Sequence, residues 1–200
     1  MWIVKLGGSL AADPMLRDWL DMLADSGRGR VVIVPGGGPF ADRVREAQHH
    51  WEFDDRAAHR MAILAMEQYG LMLAALCPAL TPAATQDALY AVLKNAGVAV
   101  WLPGAMLHED VGVVEDWSVT SDSLAAWLAS RLNAQYLALV KSCELPPEGT
   151  ASEELARLGV VDAAFPQFVH QGCFRAFTLS KSAPERLRRM LVEGDLVRLR

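Results

Sequence analysis

Apolar residues fall into short continuous runs, and each run is followed by a stretch in which they recur at helical spacing. Met1–Leu6 and Val31–Val34 are such runs, joined further along by Val98–Trp101 and Tyr136–Val140. Phe174–Leu179 alternates like a strand, and Leu196–Leu199 reads as a closing edge strand. Between them the pattern predicts helices. One opens at Asp13-Pro14, carries Leu16, Leu20 and Leu23 on one stripe and ends at Gly27. Others start at Pro39, run from about Arg56 to Cys77, restart at Thr81-Pro82 and end near Gly97. Later ones cover Leu124–Leu132, Ser152–Leu158 and Pro184–Leu191, while Trp51–Asp55 and Leu145–Gly149 read as loops. Strands that alternate with helices and are apolar throughout belong in a mainly parallel sheet covered on both faces. The expected class is therefore α/β, as one domain over residues 1–200.

Ligands in such sheets bind at the carboxyl ends of the strands, and there the chain places its unusual residues. The first run ends in Lys5-Leu6-Gly7-Gly8-Ser9 and the second in Pro35-Gly36-Gly37-Gly38-Pro39. Glycine lets the backbone approach an anion closely, and a helix start behind it supplies unpaired N–H groups and a positive dipole end. Lys5 adds a full charge. Phosphoryl transfer needs mainly positioning and neutralisation of charge, which this combination supplies. An ordinary strand–helix turn is the plain alternative at each. Gly36-x-Gly38-x-x-Ala41 also fits a loose dinucleotide fingerprint, but the acid expected about 20 positions on would be Asp54 or Asp55, in a polar loop.

Two more residues join this group. Asp122, in the polar turn Ser118–Ser123, reads as a first-turn helix acid, a partner orienting Lys5, or a carboxylate contacting a metal ion through water. His59 stands near a helix start, where a histidine can donate to an incoming phosphate or be a satisfied polar residue. Met61, Met66 and Met72 recur at near-helical spacing and read as core or a dimer seam.

Composition narrows the field. A net charge of −5 argues against a nucleic-acid surface. The late arginines, Arg186, Arg188, Arg189, Arg198 and Arg200, read as a solvated helix face and tail. The apolar stretch Leu71–Leu80 is broken by Pro78 and falls short of the roughly 18 residues a membrane span needs. No secretory leader is legible. Cys77, Cys143 and Cys173 are far apart and read as free thiols, so the expectation is a cytoplasmic protein without membrane or nucleic-acid partners. The five histidines offer no metal-ligand spacing, so no metal-ligating residue is assigned. Neither a GxxxxGK[ST] loop nor a GxSxG elbow occurs.

Taken together, the KxGGS opening, the GGG turn and the acid in a TSD-like turn resemble the amino acid kinase superfamily, in the family's order. Glu193-Gly194-Asp195-Leu196-Val197 looks like its closing turn and strand. Residues 35–45 and 58–70 are most similar to the branch of aminomethylfuran-phosphate kinases of methanofuran biosynthesis and their one-carbon-metabolism relatives. The resemblance implies a three-layer αβα sandwich, ATP and Mg²⁺, and transfer of the γ-phosphoryl group to a phosphate monoester. The acceptor it points to is [5-(aminomethyl)furan-3-yl]methyl phosphate. The alternatives are isopentenyl phosphate, a nucleoside monophosphate or a carboxylate as acceptor, or a nucleotide-binding member without catalysis.

By the same resemblance Lys5 and Asp122 form the catalytic pair. Gly7, Gly8 and Ser9 hold the donor phosphates, with Lys141 or Lys181 as a second phosphate lysine. Gly36, Gly37, Gly38 and His59 hold the acceptor phosphate. The implied assembly is a homo-oligomer, a dimer or higher. Charge alone suggests Asp54, Asp55 or Glu67 for a substrate ammonium group. The family's strand-end T-x-x-D-G-V is replaced by Lys141-Ser142-Cys143-Glu144-Leu145, which implies a rebuilt nucleotide-base pocket.

Overall fold

A computed structural model describes residues 1–108 and 113–193. The expected closing strand Leu196–Leu199 and the terminal turn lie outside the described residues. Among those described, six strands form one sheet: β1 (Trp2–Leu6), β2 (Val31–Pro35), β3 (Leu80–Ala83), β4 (Val98–Trp101), β5 (Tyr136–Lys141) and β6 (Arg175–Ser180). Their order is β3-β4-β2-β1-β5-β6, and every adjacent pair is parallel. The helices are α1 (Met15–Ser26), α2 (Gly38–Trp51), α3 (Asp55–Leu76), α4 (Gln86–Lys94), α5 (Gly104–His108), α6 (Ser121–Arg131), α7 (Ser152–Arg157), α8 (Phe165–Gln171) and α9 (Pro184–Glu193). The expected α/β class holds.

Side-chain alternation along the strands builds the layers. Val4 and Leu6 of β1 and Ile33 of β2 join Trp19, Leu20 and Leu23 of α1 and Leu187 and Met190 of α9 in one core cluster. Ile3, Val32, Leu137 and Leu139 point the other way, onto Leu124, Ala125 and Leu128 of α6 and Phe165 of α8. Successive strand residues face opposite sides, so a sheet with two apolar faces needs two covering layers. α3 serves both, with Ile63 and Met66 in one cluster and Tyr69 and Leu73 in the other. Met66 is thus core, whereas Met61 is 40% exposed.

One expectation fails. The sequence pattern puts a helix start at Thr81-Pro82, yet Pro82 lies in β3, opposite Val100 of β4. Among the described residues β3 is an edge strand paired with β4 alone, which is where a strand tolerates proline. The true helix signal comes three residues later, where Thr85 accepts a hydrogen bond from Ala88 N at 3.2 Å. The short helices α5 and α8 also went unread, because neither is long enough to show a period.

Asp13 opens α1 as expected, its carboxylate accepting from Met15 N at 3.0 Å. Further along the same helix the fully buried Trp19 donates from its indole N–H to Lys181 O at 2.7 Å, which pins α1 to the exit of β6. Trp19→Ala should cost about 3–5 kcal/mol in denaturant unfolding. Trp19→Phe should cost about 1–3 kcal/mol, chiefly from the unpaired carbonyl.

Candidate active site

Parallel register brings both lysines of interest to one face of the sheet. Lys5 of β1 is opposite Leu139 of β5, so Lys141, two residues on, projects from the same side, toward α6. That helix starts at Ser121, and its second residue is Asp122. Lys5 Nζ stands 2.8 Å from Asp122 Oδ1, an ion pair that falls short of directed hydrogen-bond geometry. Lys141 Nζ donates to Asp122 Oδ2 at 2.5 Å. All three residues are buried.

The electrostatics follow from burial. Desolvation alone would push the Asp122 carboxyl up, but the two ammonium groups outweigh it and hold it below the usual carboxylate range. For Lys141, burial together with the neighbouring Lys5 charge outweighs Asp122 and lowers the ammonium from 10.5 to about 8. Two cations and one anion leave an excess of positive charge in a dry place.

Around this cluster the two glycine turns abut. Gly36 N donates to Leu6 O at 2.8 Å. A Cβ on Gly8 would lie 2.3 Å from Gly38 N, and one on Gly36 would lie 2.4 Å from Gly8 N. Only backbone fits between them, so both turns open on the same edge. Lys5 Nζ lies 3.8 Å from where a Gly7 Cβ would be, and Ser9 Oγ donates to Ser142 Oγ at 2.9 Å, tying the first turn to the exit of β5.

A cavity of about 270 Å³ opens over Gly8, Ser9, Gly37 and Gly38 and continues to His59, Asp42, Arg45, Trp117 and Thr120. His59 is buried, and its Nδ1 lies 3.1 Å from Asp116 O. A carbonyl oxygen only accepts, so Nδ1 carries the proton and Nε2 is the nitrogen free to meet a ligand. Asp116 is itself held by Ser118, whose O–H and N–H donate to its carboxylate and keep its pKa low. Trp117 donates to Gln48 Oε1 at 2.7 Å and lies under Arg45, whose guanidinium carbon is 4.2 Å from the ring centroid.

Other sequence candidates lie elsewhere. The Lys181 ammonium pairs with Asp13 at 2.5 Å, not with Asp122, leaving Lys141 as the lysine gathered with Lys5. Asp54 caps α3 by accepting from Ala57 N, Asp55 accepts from Gln48 Nε2, and Glu67 accepts from Gly104 N. Asp42 is the acid in the cavity wall. Asp162 was missed entirely, since an isolated acid in a loop carries no sequence signal. Its carboxylate accepts from Thr120 and Ser123 at the start of α6.

Comparison with known proteins places the chain in a family. A sequence model of the amino acid kinase family matches residues 1–144, and the chain belongs to that family of phosphotransferases. Among individual proteins, it is 27% identical over 201 residues to the [5-(aminomethyl)furan-3-yl]methyl phosphate kinase of Methanocaldococcus jannaschii, covering 94% of this chain and 91% of that protein. The uridylate kinase of Archaeoglobus fulgidus superposes with a TM-score of 0.69 at 15% identity, covering 95% of this chain and 94% of that one. An isopentenyl phosphate kinase gives 0.59 at 14% identity, with 96% of each chain covered. These likenesses identify the αβα sandwich of the family.

The site makes three predictions. Gly36→Ala should unfold at lower denaturant, by at least about 1–3 kcal/mol, because its methyl group meets backbone with nowhere to move. Phosphate affinity should fall as pH rises through about 8, when Lys141 loses its proton, and Lys141→Met should remove that alkaline limb. Stability moves oppositely. The unfolded chain binds the extra proton between about 8 and 10.5, so the cost of burying a charged Lys141 is full below about 8 and relieved above it. Unfolding at paired pH values in the native chain and Lys141→Met checks this.

Proposed function

We propose that the protein transfers the γ-phosphoryl group of ATP to a phosphate monoester, forming a phosphoanhydride, with [5-(aminomethyl)furan-3-yl]methyl phosphate as the acceptor. The observation that carries the reading is the buried Lys5–Asp122–Lys141 cluster at the joint of two abutting glycine turns. The acceptor's identity rests on the 27% identical relative.

In this reading the donor phosphates lie on Gly7, Gly8 and Ser9, and the acceptor phosphate on Gly36, Gly37, Gly38 and His59. A phosphate acceptor is already anionic, so no side chain need act as a base. What the chain must do is hold two anions face to face and neutralise the charge that gathers between them. Lys5, steered by Asp122, reaches the transferring group, and Lys141 meets the donor side. His59 donates from Nε2 when protonated. Trp117, which lies under Arg45, and Asp42, which pairs with Arg45 at 3.3 Å, bring an aromatic ring and a carboxylate to the wall, groups that suit an aromatic acceptor bearing an ammonium group. A second cavity of about 260 Å³ beside β5 and β6, walled by Leu155, Phe165, Val169 and Phe177, is the proposed seat of the adenosine.

Among the described residues no three His, Cys, Asp or Glu side chains gather to hold a metal ion, and Asp122 is engaged by both lysines. These residues do not form a magnesium cage. Mg²⁺ belongs to the reading as part of the ATP complex, held by the nucleotide's phosphates.

The test is ADP release with a panel of acceptors: the aminomethylfuran phosphate, isopentenyl phosphate, UMP and a carboxylate. The furan phosphate should give the highest kcat/KM. Preference for another member would replace the acceptor, and ATP binding without turnover of any would remove the kinase activity. Lys5→Met should lower kcat by at least about 10³-fold, the scale of losing a charge that stabilises the transition state. His59→Asn should act mainly on the acceptor's KM.

A further inference from the structure

Asp162 follows the buried pair Val160-Val161 on the segment between α7 and α8, far in sequence from Lys5 and Asp122. One of its oxygens accepts from Thr120 N at 2.9 Å, Thr120 Oγ1 at 2.7 Å and Ser123 N at 3.0 Å. The other accepts from Phe165 N at 3.0 Å and from the Ser123 hydroxyl. One carboxylate thus collects five donors. Three are backbone amides, and two of these belong to the cap residue and third residue of α6.

A helix start normally takes its cap from its own cap residue. Thr120 does not cap α6. Its side chain makes no cap bond within the helix and donates outward to Asp162 instead. Asp162 is therefore a cap supplied from another segment, and it also holds the first amide of α8. A further bond, Ala164 N to Ser118 O at 3.0 Å, joins the same two segments. Asp122 lies between Thr120 and Ser123, so the backbone on either side of it is clamped.

We propose that Asp162 is a positioning residue of the phosphoryl-transfer site: by clamping Thr120 and Ser123 it fixes the angle at which α6 presents the Asp122 carboxylate to Lys5 and Lys141. It touches neither lysine, and its effect passes through the helix start. The inference rests on the kinase reading above for its consequence in catalysis, but its geometric part can be read without any substrate. Asparagine in its place is nearly isosteric, yet it has only one acceptor oxygen and turns an NH₂ toward at least one donor. The clamp cannot then close on both sides.

The experiment compares the native chain with Asp162→Asn, Ser123→Ala and Thr120→Val. Ligand-free enzyme labelled at the lysine side chains reports the Lys141 titration by NMR. In Asp162→Asn it should move below its native position, because Asp122 no longer supports the ammonium. With the best acceptor of the panel, kcat should fall about 10- to 100-fold, the scale set by small misplacements of reacting groups. KM for ATP and for the acceptor should stay near native. Ser123→Ala and Thr120→Val each remove one donor and should move both readouts the same way, less far. Should Asp162→Asn fail to fold, these two decide. The proposal is overturned if the folded variants lose thermal stability while the Lys141 titration and kcat stay native. If no acceptor is turned over even by the native chain, the kinase reading fails, and the titration alone still decides the role of Asp162.

Discussion

A carboxylate buried among apolar helix residues is costly unless cations meet it, and two cations held close together are costly unless an anion lies between them. Asp122 with Lys5 and Lys141 satisfies both conditions at once. Removing the acid would leave two like charges in a dry site, and removing either lysine would upset the balance differently. The cluster is not neutral. Its surplus positive charge is what an incoming polyphosphate would complete, and low local polarity makes that completion worth more than it would be in water.

The glycine turns are bound to this cluster by geometry. β1 and β2 are in register through Leu6 and Pro35, so the two chains leave the sheet side by side and must turn together. Backbone from one turn fills the space where side chains of the other would stand. Any ligand gripped by both is held by main-chain amides whose spacing is set by the sheet, with little freedom left to adjust. Such preorganisation suits a reaction in which positioning and charge neutralisation do most of the chemistry.

Opposite the turns, the wall of the cavity is less regular. His59, Arg45 and Trp117 come from α3, α2 and the segment before α6, linked through Gln48 and Asp116. Here side chains and a main-chain carbonyl hold one another, apart from the sheet. The uridylate and isopentenyl phosphate kinases share the sandwich at 14–15% identity.

Local chemistry made five of the six described strands, most helices and both glycine turns legible. An apolar run ending in glycines, or a proline after a capping acid, constrains the chain within a few residues whatever lies around it. Lys5, Asp122 and His59 could be picked out because each sits beside such a signal. Choosing Lys141 over Lys181 as the partner of Asp122 needed the register of β5 against β1 and the capture of Lys181 by Asp13. Pro82 in a strand needed the knowledge that β3 lies at the edge of the sheet formed by the described strands. Asp162 and Asp42 were invisible because an acid's role depends on which donors the folded chain brings to it. The sequence by itself determined where most of the chain turns and which apolar runs become strands, since those choices are settled by neighbours a few bonds away. Only the tertiary structure decided which charges meet, because charges far apart along the chain meet only when the sheet sets their distance.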